Sequence, residues 1–261
     1  MPKFKLGKHL PKVDSRTLMF ANYLTAQLPP PPAAVDYSKP VPVWPMMGND
    51  SYGDCTCAAA GHMIEEWTAN TGTEKTLADT QILAAYNHFA KGNADAGANM
   101  LDVLNYWRKT GIGGDKITAF AQLEPKNDNE ARDAINIFGN CYIGVALPNF
   151  AVTPGSNFLA TPWVLPPQGA VGNAAPNANN GHCIPAVAYD TRNLYVVTWG
   201  AIKSMSWQFY DAYMDEAFAV LSPDWISAKV GTSPSGFNMA ALRQDLAAVT
   251  AAPSASSASA D

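Results

Sequence analysis

The sequence predicts an α+β fold, with helices in the first part of the chain and an antiparallel sheet in the second. Three observations lead to this expectation. Apolar residues recur at helical spacing up to about residue 138, β-branched and aromatic runs dominate after residue 181, and a long loop-like stretch separates the two regions. With 261 residues, 48% of them hydrophobic, the chain is long enough for one large domain or two closely packed lobes.

Four helices are predicted from the spacing of apolar residues and from capping signals. They cover residues 56–70, 77–89, 100–109 and 129–138. The first is read as amphipathic, which places the neighbouring carboxylates Glu65 and Glu66 on its solvated surface.

Four strands are predicted from β-branched and aromatic runs bounded by turn residues. They cover residues 141–147, 182–189, 194–199 and 217–221. The stretch 148–180, between the first two strands, is rich in Pro, Gly, Ala and Asn and has no sustained period, so it is predicted to be a long loop.

The two ends of the chain differ in composition from the main domain, which we place at residues 34–230. Residues 1–33 are interpreted as an N-terminal arm, and residues 231–261 as a C-terminal extension. From about residue 250 the extension consists mainly of Ala and Ser, which bury too little apolar area to form a core. We therefore expect that end to be disordered and dispensable.

Composition excludes several classes of partner. The net charge of -5 comes without any run of Lys or Arg, so we expect no nucleic-acid partner and no anionic membrane partner. The start of the sequence lacks the apolar core of a signal peptide, and a cytoplasmic location is the default expectation. Four cysteines are too few for a disulfide framework and are interpreted as thiols. No cofactor is indicated, and the oligomeric state is left unknown.

Cys55 is the candidate nucleophile because it opens the first predicted helix. Unpaired amides and the helix dipole at that position favour a thiolate, so we expect Cys55 to ionise well below the usual pH. The loop before it contains Gly53, which allows close backbone approach, and Asn49, whose amide could help the Cys55 N–H to hold an oxyanion.

A general base for this cysteine must be one of four histidines: His9, His62, His88 and His182. His9 lies in the arm, His62 is two helical turns beyond Cys55, and His88 is late in the second helix. His182 remains, at the start of a strand directly after Gly181 and the long loop.

The order of these pieces resembles the papain family of cysteine peptidases. AAVDYSKPVPVWPMMGND resembles the family's mature N-terminal stretch, with Asn49 six residues before the cysteine, where the family has its oxyanion glutamine. YGDC is similar to the family's Cys-Gly-Ser-Cys, and NMLDVLNYWRKTGI, NCYIGVALPNF and HCIPAVAYD resemble later segments in collinear order. The resemblance extends from residue 34 to about residue 222.

The resemblance implies a helical lobe and a sheet or barrel lobe, with the active site in the cleft between them. The implied reaction is hydrolysis of a peptide or protein substrate through an acyl-enzyme on Cys55, with His182 as base. Residues expected to contact substrate are Gly53, Asp54, Gly181 and Trp199.

The chain departs from the family where an asparagine should orient the histidine. The equivalent segment VVTWG has Val197 at that place, or Thr198 if the register slips by one residue, and only Thr198 can hydrogen-bond an imidazole. This departure leaves open a papain-fold binding or structural module without activity. A third hypothesis is a metal site made by Cys55, Cys57, His62 and Cys183, although the cysteine spacing is atypical of structural zinc.

Overall fold

The computed structural model describes residues 4–26, 28–90, 95–153, 158–225 and 238–251. The helices are α1 (Cys55–Thr71), α2 (Asp79–Ala90), α3 (Met100–Lys109), α4 (Asp128–Phe138), α5 (Trp207–Tyr213), α6 (Pro223–Trp225) and α7 (Met239–Ala251). The strands are β1 (Val35–Asp36), β2 (Ala119–Gln122), β3 (Cys141–Ala146), β4 (Gly181–Tyr189), β5 (Asn193–Thr198), β6 (Ala201–Ser206) and β7 (Met214–Leu221). Each helix and strand predicted from the sequence is present, with its ends within three residues of the expected ones.

The strands form one antiparallel sheet in the order β2-β7-β3-β4-β5-β6, and β1 pairs with the end of β4. Within the described residues β2 and β6 are the ends of this order, so the sheet is open and does not close into a barrel. The α+β prediction is confirmed. No regular structure is predicted from the sequence for the segments that form β2, β6, α5, α6 and α7.

Helix α1 lies at the centre of the molecule and is buried on almost all sides. Glu65 and Glu66 are fully buried, so the expectation of a solvated carboxylate pair is wrong. The Glu66 carboxylate accepts a hydrogen bond from Asn140 Nδ2 (2.7 Å), and Glu65 accepts one from Thr76 Oγ1 (2.8 Å). Burial raises the pKa of Glu65 to about 7. Buried polar groups need hydrogen-bond partners, and these two hydrogen bonds connect α1 to neighbouring segments of the chain.

Two apolar cores lie on opposite faces of the sheet. Helices α1, α2 and α3 pack on one face, and α4 and α5 pack on the other, as expected for strands whose successive side chains alternate. The Tyr142 hydroxyl of β3 donates to the Thr56 carbonyl at the start of α1 (2.8 Å). Because β3 also pairs with β4, this bond holds the first residues of α1 against the strand that carries His182.

The two terminal segments also contribute to the fold. Phe20 of the N-terminal segment and Leu242 of α7 are fully buried in the sheet-lobe core, and the Tyr23 hydroxyl donates to Asp245 (3.0 Å). Both terminal segments therefore join the same core as the sheet. The Ala/Ser-rich end, beyond Ala251, lies outside the described residues. None of the described helices combines the length and the apolar character needed to cross a bilayer.

Candidate active site

Cys55 is the first residue of α1 and is 1% exposed. Two backbone N–H groups lie near its sulfur, those of Cys183 in β4 and Gly7 in the N-terminal segment, and both lower the pKa of the thiol. The charge of Lys8 acts in the same direction, but burial outweighs all three and raises the pKa of Cys55 to about 12. The expected thiolate is therefore not formed in this conformation.

His182 is also buried, and its ring lies flat on Trp199 with 4.3 Å between ring centroids and 12° between planes. Its Nε2 is 2.8 Å from Thr198 Oγ1. Its Nδ1 has no hydrogen-bond partner among the described residues, so the ring and the Cys55 sulfur are not hydrogen-bonded here. Burial lowers the pKa of His182 to about 3, which makes the imidazole neutral.

The end of β5 decides which residue orients this imidazole. Val197 is buried and its side chain has no polar atom, whereas the Thr198 hydroxyl lies within hydrogen-bond distance of His182 Nε2. Directly after it, Trp199 has a φ of 45°, a left-handed conformation that bulky residues adopt only when their surroundings hold them there. This turn brings the indole flat onto His182, so Thr198 and Trp199 together fix the ring.

The loop before Cys55 is held by its own side chains. Asn49 Nδ2 donates to the Tyr52 carbonyl and to Asp54 Oδ1, both at 3.1 Å, so neither amide hydrogen is free for an oxyanion in this conformation. Asp54 is fully buried, and burial raises its pKa to about 8. The Asp54 side chain therefore supports the loop and is not exposed to a substrate.

The N-terminal segment, residues 4–12, runs across the site, and we call it the arm strand. The N–H groups of Gly7 and Lys8 donate to the Gly181 carbonyl at 3.3 and 3.1 Å. On the other side, Ala98 N–H donates to the Gly7 carbonyl (2.8 Å) and His9 N–H donates to the Ala98 carbonyl (3.0 Å). The arm strand is thus bound through its backbone between β4 and the segment that precedes α3.

Three of the residues predicted to contact substrate contact the arm strand in this structure. The Gly181 carbonyl accepts hydrogen bonds from two N–H groups of the arm strand, and Trp199 Nε1 donates to the Lys5 carbonyl (3.0 Å). A Cβ on Gly7 would collide with the Gly53 carbonyl, so only glycine fits where the arm strand passes the cysteine loop. The surface around Cys55 therefore accommodates an extended peptide backbone.

The hypothesis of a metal site receives no support from the positions of its residues. His62 Nε2 is 2.8 Å from the Pro45 carbonyl, and burial lowers the pKa of this histidine to about 4. Cys57 and Cys183 are buried thiols. Among the residues that the structure describes, no group of three or more His, Cys, Asp or Glu side chains is arranged to hold a metal ion.

Sequence reasoning missed the part of the site formed by Gly7, Lys8, Asp215 and Glu216. Lys8 is buried beside the two acidic residues, with its Nζ 2.8 Å from Asp215 Oδ2 and 3.3 Å from Glu216 Oε1. A signal was present, because two adjacent carboxylates interrupt the otherwise apolar strand MDEAFAVL. Buried acidic residues in such a strand require a cationic partner.

Comparisons with known proteins give structural matches only. No protein-family model matches the sequence, and no curated protein sequence matches it significantly. The fold is similar to that of xylellain, a cysteine protease from Xylella fastidiosa, with a TM-score of 0.66 at 16% identity over 84% of this chain and 97% of that one.

Two further solved structures are similar. ProCathepsin B from Trypanosoma congolense matches with a TM-score of 0.57 at 11% identity, over 84% of this chain and 86% of that one. A structure of the cysteine protease and lectin-like domains of Cwp84, a surface layer associated protein of Clostridium difficile, matches with a TM-score of 0.57 at 13% identity, over 85% of this chain and 57% of that one. The chain therefore has the papain-like cysteine protease fold.

Proposed function

We propose that this protein is a thiol-dependent peptidase in which Cys55 is the nucleophile and His182 the general base. The observation that carries the proposal is the arm strand, a backbone bound on both sides directly over the Cys55 sulfur. A surface that binds one extended peptide through backbone groups can bind another, because such bonds do not depend on side-chain identity.

The residues at the site fit the steps of acyl transfer. With a proton on Nε2 donated to Thr198, the unpartnered Nδ1 of His182 is free to take the proton of Cys55. The sulfur then attacks the peptide carbonyl carbon, and the imidazolium returns its proton to the leaving amine as the C–N bond breaks. Water, deprotonated by the same imidazole, hydrolyses the thioester and releases the carboxylic acid product with the free thiol.

The described conformation is the resting state in this proposal. The arm strand covers the sulfur, and the pKa values of about 12 for Cys55 and about 3 for His182 keep both groups neutral. Displacement of the arm strand admits water and substrate, and hydration removes the main cause of both shifts. An oxyanion is then stabilised by the Cys55 N–H, and by Asn49 once a substrate oxygen competes with the acceptors of its loop.

Activity on a peptide library tests the proposal. The full chain carrying Gly7→Val, which is designed to displace the arm strand, is incubated with a mixture of peptides, and the products are identified by mass spectrometry. Cleavage that is lost on adding Cys55→Ala or His182→Ala supports the proposal. A correctly folded Gly7→Val protein with a displaced arm strand and no turnover of any peptide would favour the inactive papain-fold module.

A further inference from the structure

The side chain of Lys8 occupies a narrow acidic pocket beside the candidate nucleophile. The Lys8 side chain is 1% exposed, and its Nζ lies 2.8 Å from Asp215 Oδ2, 3.3 Å from Glu216 Oε1 and 3.0 Å from the His9 carbonyl. Lys8 follows Gly7, whose N–H lies near the Cys55 sulfur. The pocket therefore holds the Lys8 side chain, and the neighbouring residue Gly7 covers the Cys55 sulfur.

The absence of a side chain at Gly144 of β3 makes the pocket deep enough for a long side chain. A Cβ there would collide with Lys8 Cε and would come within 2.7 Å of Met100 Sδ and 2.9 Å of Asp215 Oδ1. In the sheet, Gly144 pairs with Cys183 on one side and with Glu216 on the other. The wall of the pocket is thus part of the strands that position the site, and the acidic groups lie on β7.

The acidic groups are not saturated by Lys8. Among the described residues Asp215 Oδ1 has no hydrogen-bond partner. Glu216, whose side chain is 1% exposed, meets Lys8 Nζ through Oε1 as an ion pair at 3.3 Å, without a hydrogen bond. A carboxylate this buried needs a cation, since removing one partner of a buried ion pair leaves an uncompensated charge. When Lys8 leaves with the arm strand, another cation must replace it or the pocket becomes unfavourable.

We infer that Gly144, Asp215 and Glu216 form a specificity pocket that selects a lysine or arginine side chain of a peptide substrate, and that Lys8 fills it as an internal surrogate. This inference rests on the proposed peptidase function of the same site. Arginine fits the chemistry as well as lysine, because its guanidinium carries five donors, and Asp215 Oδ1 and Glu216 Oε1 accept no hydrogen bond from Lys8. Acidic side chains are excluded by charge, and neutral ones leave both carboxylates unpaired.

The first test measures binding and does not require turnover. A fluorescent peptide with the sequence of residues 4–12 is titrated into the full chain carrying Gly7→Val and Cys55→Ala, and a second peptide has norleucine in place of Lys8. The assay is run at pH 8, above the pKa of about 7 to which burial raises Glu216. We expect the norleucine peptide to bind at least about tenfold more weakly, because it leaves a buried charge unpaired. Equal affinity of the two peptides would overturn the inference.

The second test locates the effect in the pocket. Glu216→Gln and Asp215→Asn should each reduce the preference for lysine over norleucine, and Glu216→Lys should reverse it in favour of glutamate. Asp224→Asn is the matched control, since Asp224 is exposed on α6 and its substitution changes the net charge equally. If all pocket variants retain the preference for lysine, the preference arises elsewhere in the protein, and the inferred specificity pocket is refuted.

The third test joins the pocket to catalysis. Peptides that differ only in lysine, arginine, norleucine or glutamate at successive positions are offered to the full chain carrying Gly7→Val. We expect cleavage next to the position filled by lysine or arginine, with a preference of about tenfold or more. Turnover without that preference would refute the pocket and leave the peptidase standing, whereas binding preference without turnover would leave the pocket and refute the peptidase.

Discussion

Substitution of Gly7 by valine is expected to expose Cys55 and to change its ionisation. The new Cβ would occupy the place of the Gly53 carbonyl, and that backbone group cannot move far because Gly53 N–H is hydrogen-bonded to Asp95. The arm strand must therefore shift, and the bonds at Gly181 and Ala98 are lost together.

The size of the effect follows from the pKa of Cys55. At about 12, only about 1 in 10⁵ of the thiols is ionised at pH 7, whereas an unperturbed cysteine with a pKa of about 8.5 is ionised to about 3%. Alkylation proceeds through the thiolate, so its rate should rise by up to about 10³-fold. A protonated His182 beside the sulfur would stabilise the Cys55 thiolate and extend fast labelling to lower pH.

Iodoacetamide labelling followed by peptide mass mapping measures this change. Cys57, Cys141 and Cys183 are buried in the same molecule and act as internal controls for unfolding. Val13→Ala is the matched arm variant, because Val13 is 94% exposed and its loss should alter nothing. If hydrogen exchange shows that the arm-strand amides of Gly7→Val are released and Cys55 still reacts at the wild-type rate, the inference that the arm strand suppresses the nucleophile is refuted.

Three further outcomes are expected. For the peptidase that we propose, Thr198→Val should lower the kcat of the Gly7→Val protein by about tenfold or more with little change in KM. Thr198→Ser should restore the kcat, since its hydroxyl can also hold His182 Nε2, and equal rates of all three proteins would exclude an orienting role. Asp54→Asn should gain stability relative to wild type between pH 4 and 8, by at most about 5 kcal/mol in urea unfolding. Because burial raises the pKa of Asp54 to about 8 in the folded protein, the wild type loses stability as pH rises through this window. A stability difference between variant and wild type that stays constant with pH would contradict a protonated, buried Asp54. Leu242→Ala should cost about 2–5 kcal/mol in the same assay, while deletion of residues 252–261 should leave Tm unchanged; the reverse pattern would contradict the packing of α7.

The regular elements could be predicted because their signals are local. Helices α1 to α4 carry caps or apolar periodicity, and β4 and β5 carry β-branched and aromatic runs. Strands β2 (AFAQ) and β6 (AIKSMS) were missed because they are short and contain little of the composition that marks a strand. They are strands because β7 and β5 offer them a hydrogen-bonding edge, which no local pattern encodes.

The buried carboxylates of α1 show a second kind of failure. Glu65 and Glu66 resemble a solvated pair in the sequence, yet their partners Thr76 and Asn140 are 11 and 74 residues away. The same reason hides the role of the arm strand, since Lys8 meets Asp215 across 207 residues. Burial and ion pairing depend on which distant segments meet. Cys55 and His182 could be named as candidates because a helix start and a strand start are local features.

The arm strand is a ligand joined covalently to its own binding site, and this has a consequence for concentration. A tethered peptide competes at an effective concentration of roughly millimolar, whatever the protein concentration. A free peptide present at micromolar levels is therefore a poor competitor for the intact chain. A single cut near the exposed residues Leu10 and Val13 would turn the same contacts into a bimolecular complex, which dissociates on dilution below its Kd. After such a cut, the fraction of molecules in which the arm strand covers Cys55 depends on how dilute the protein is.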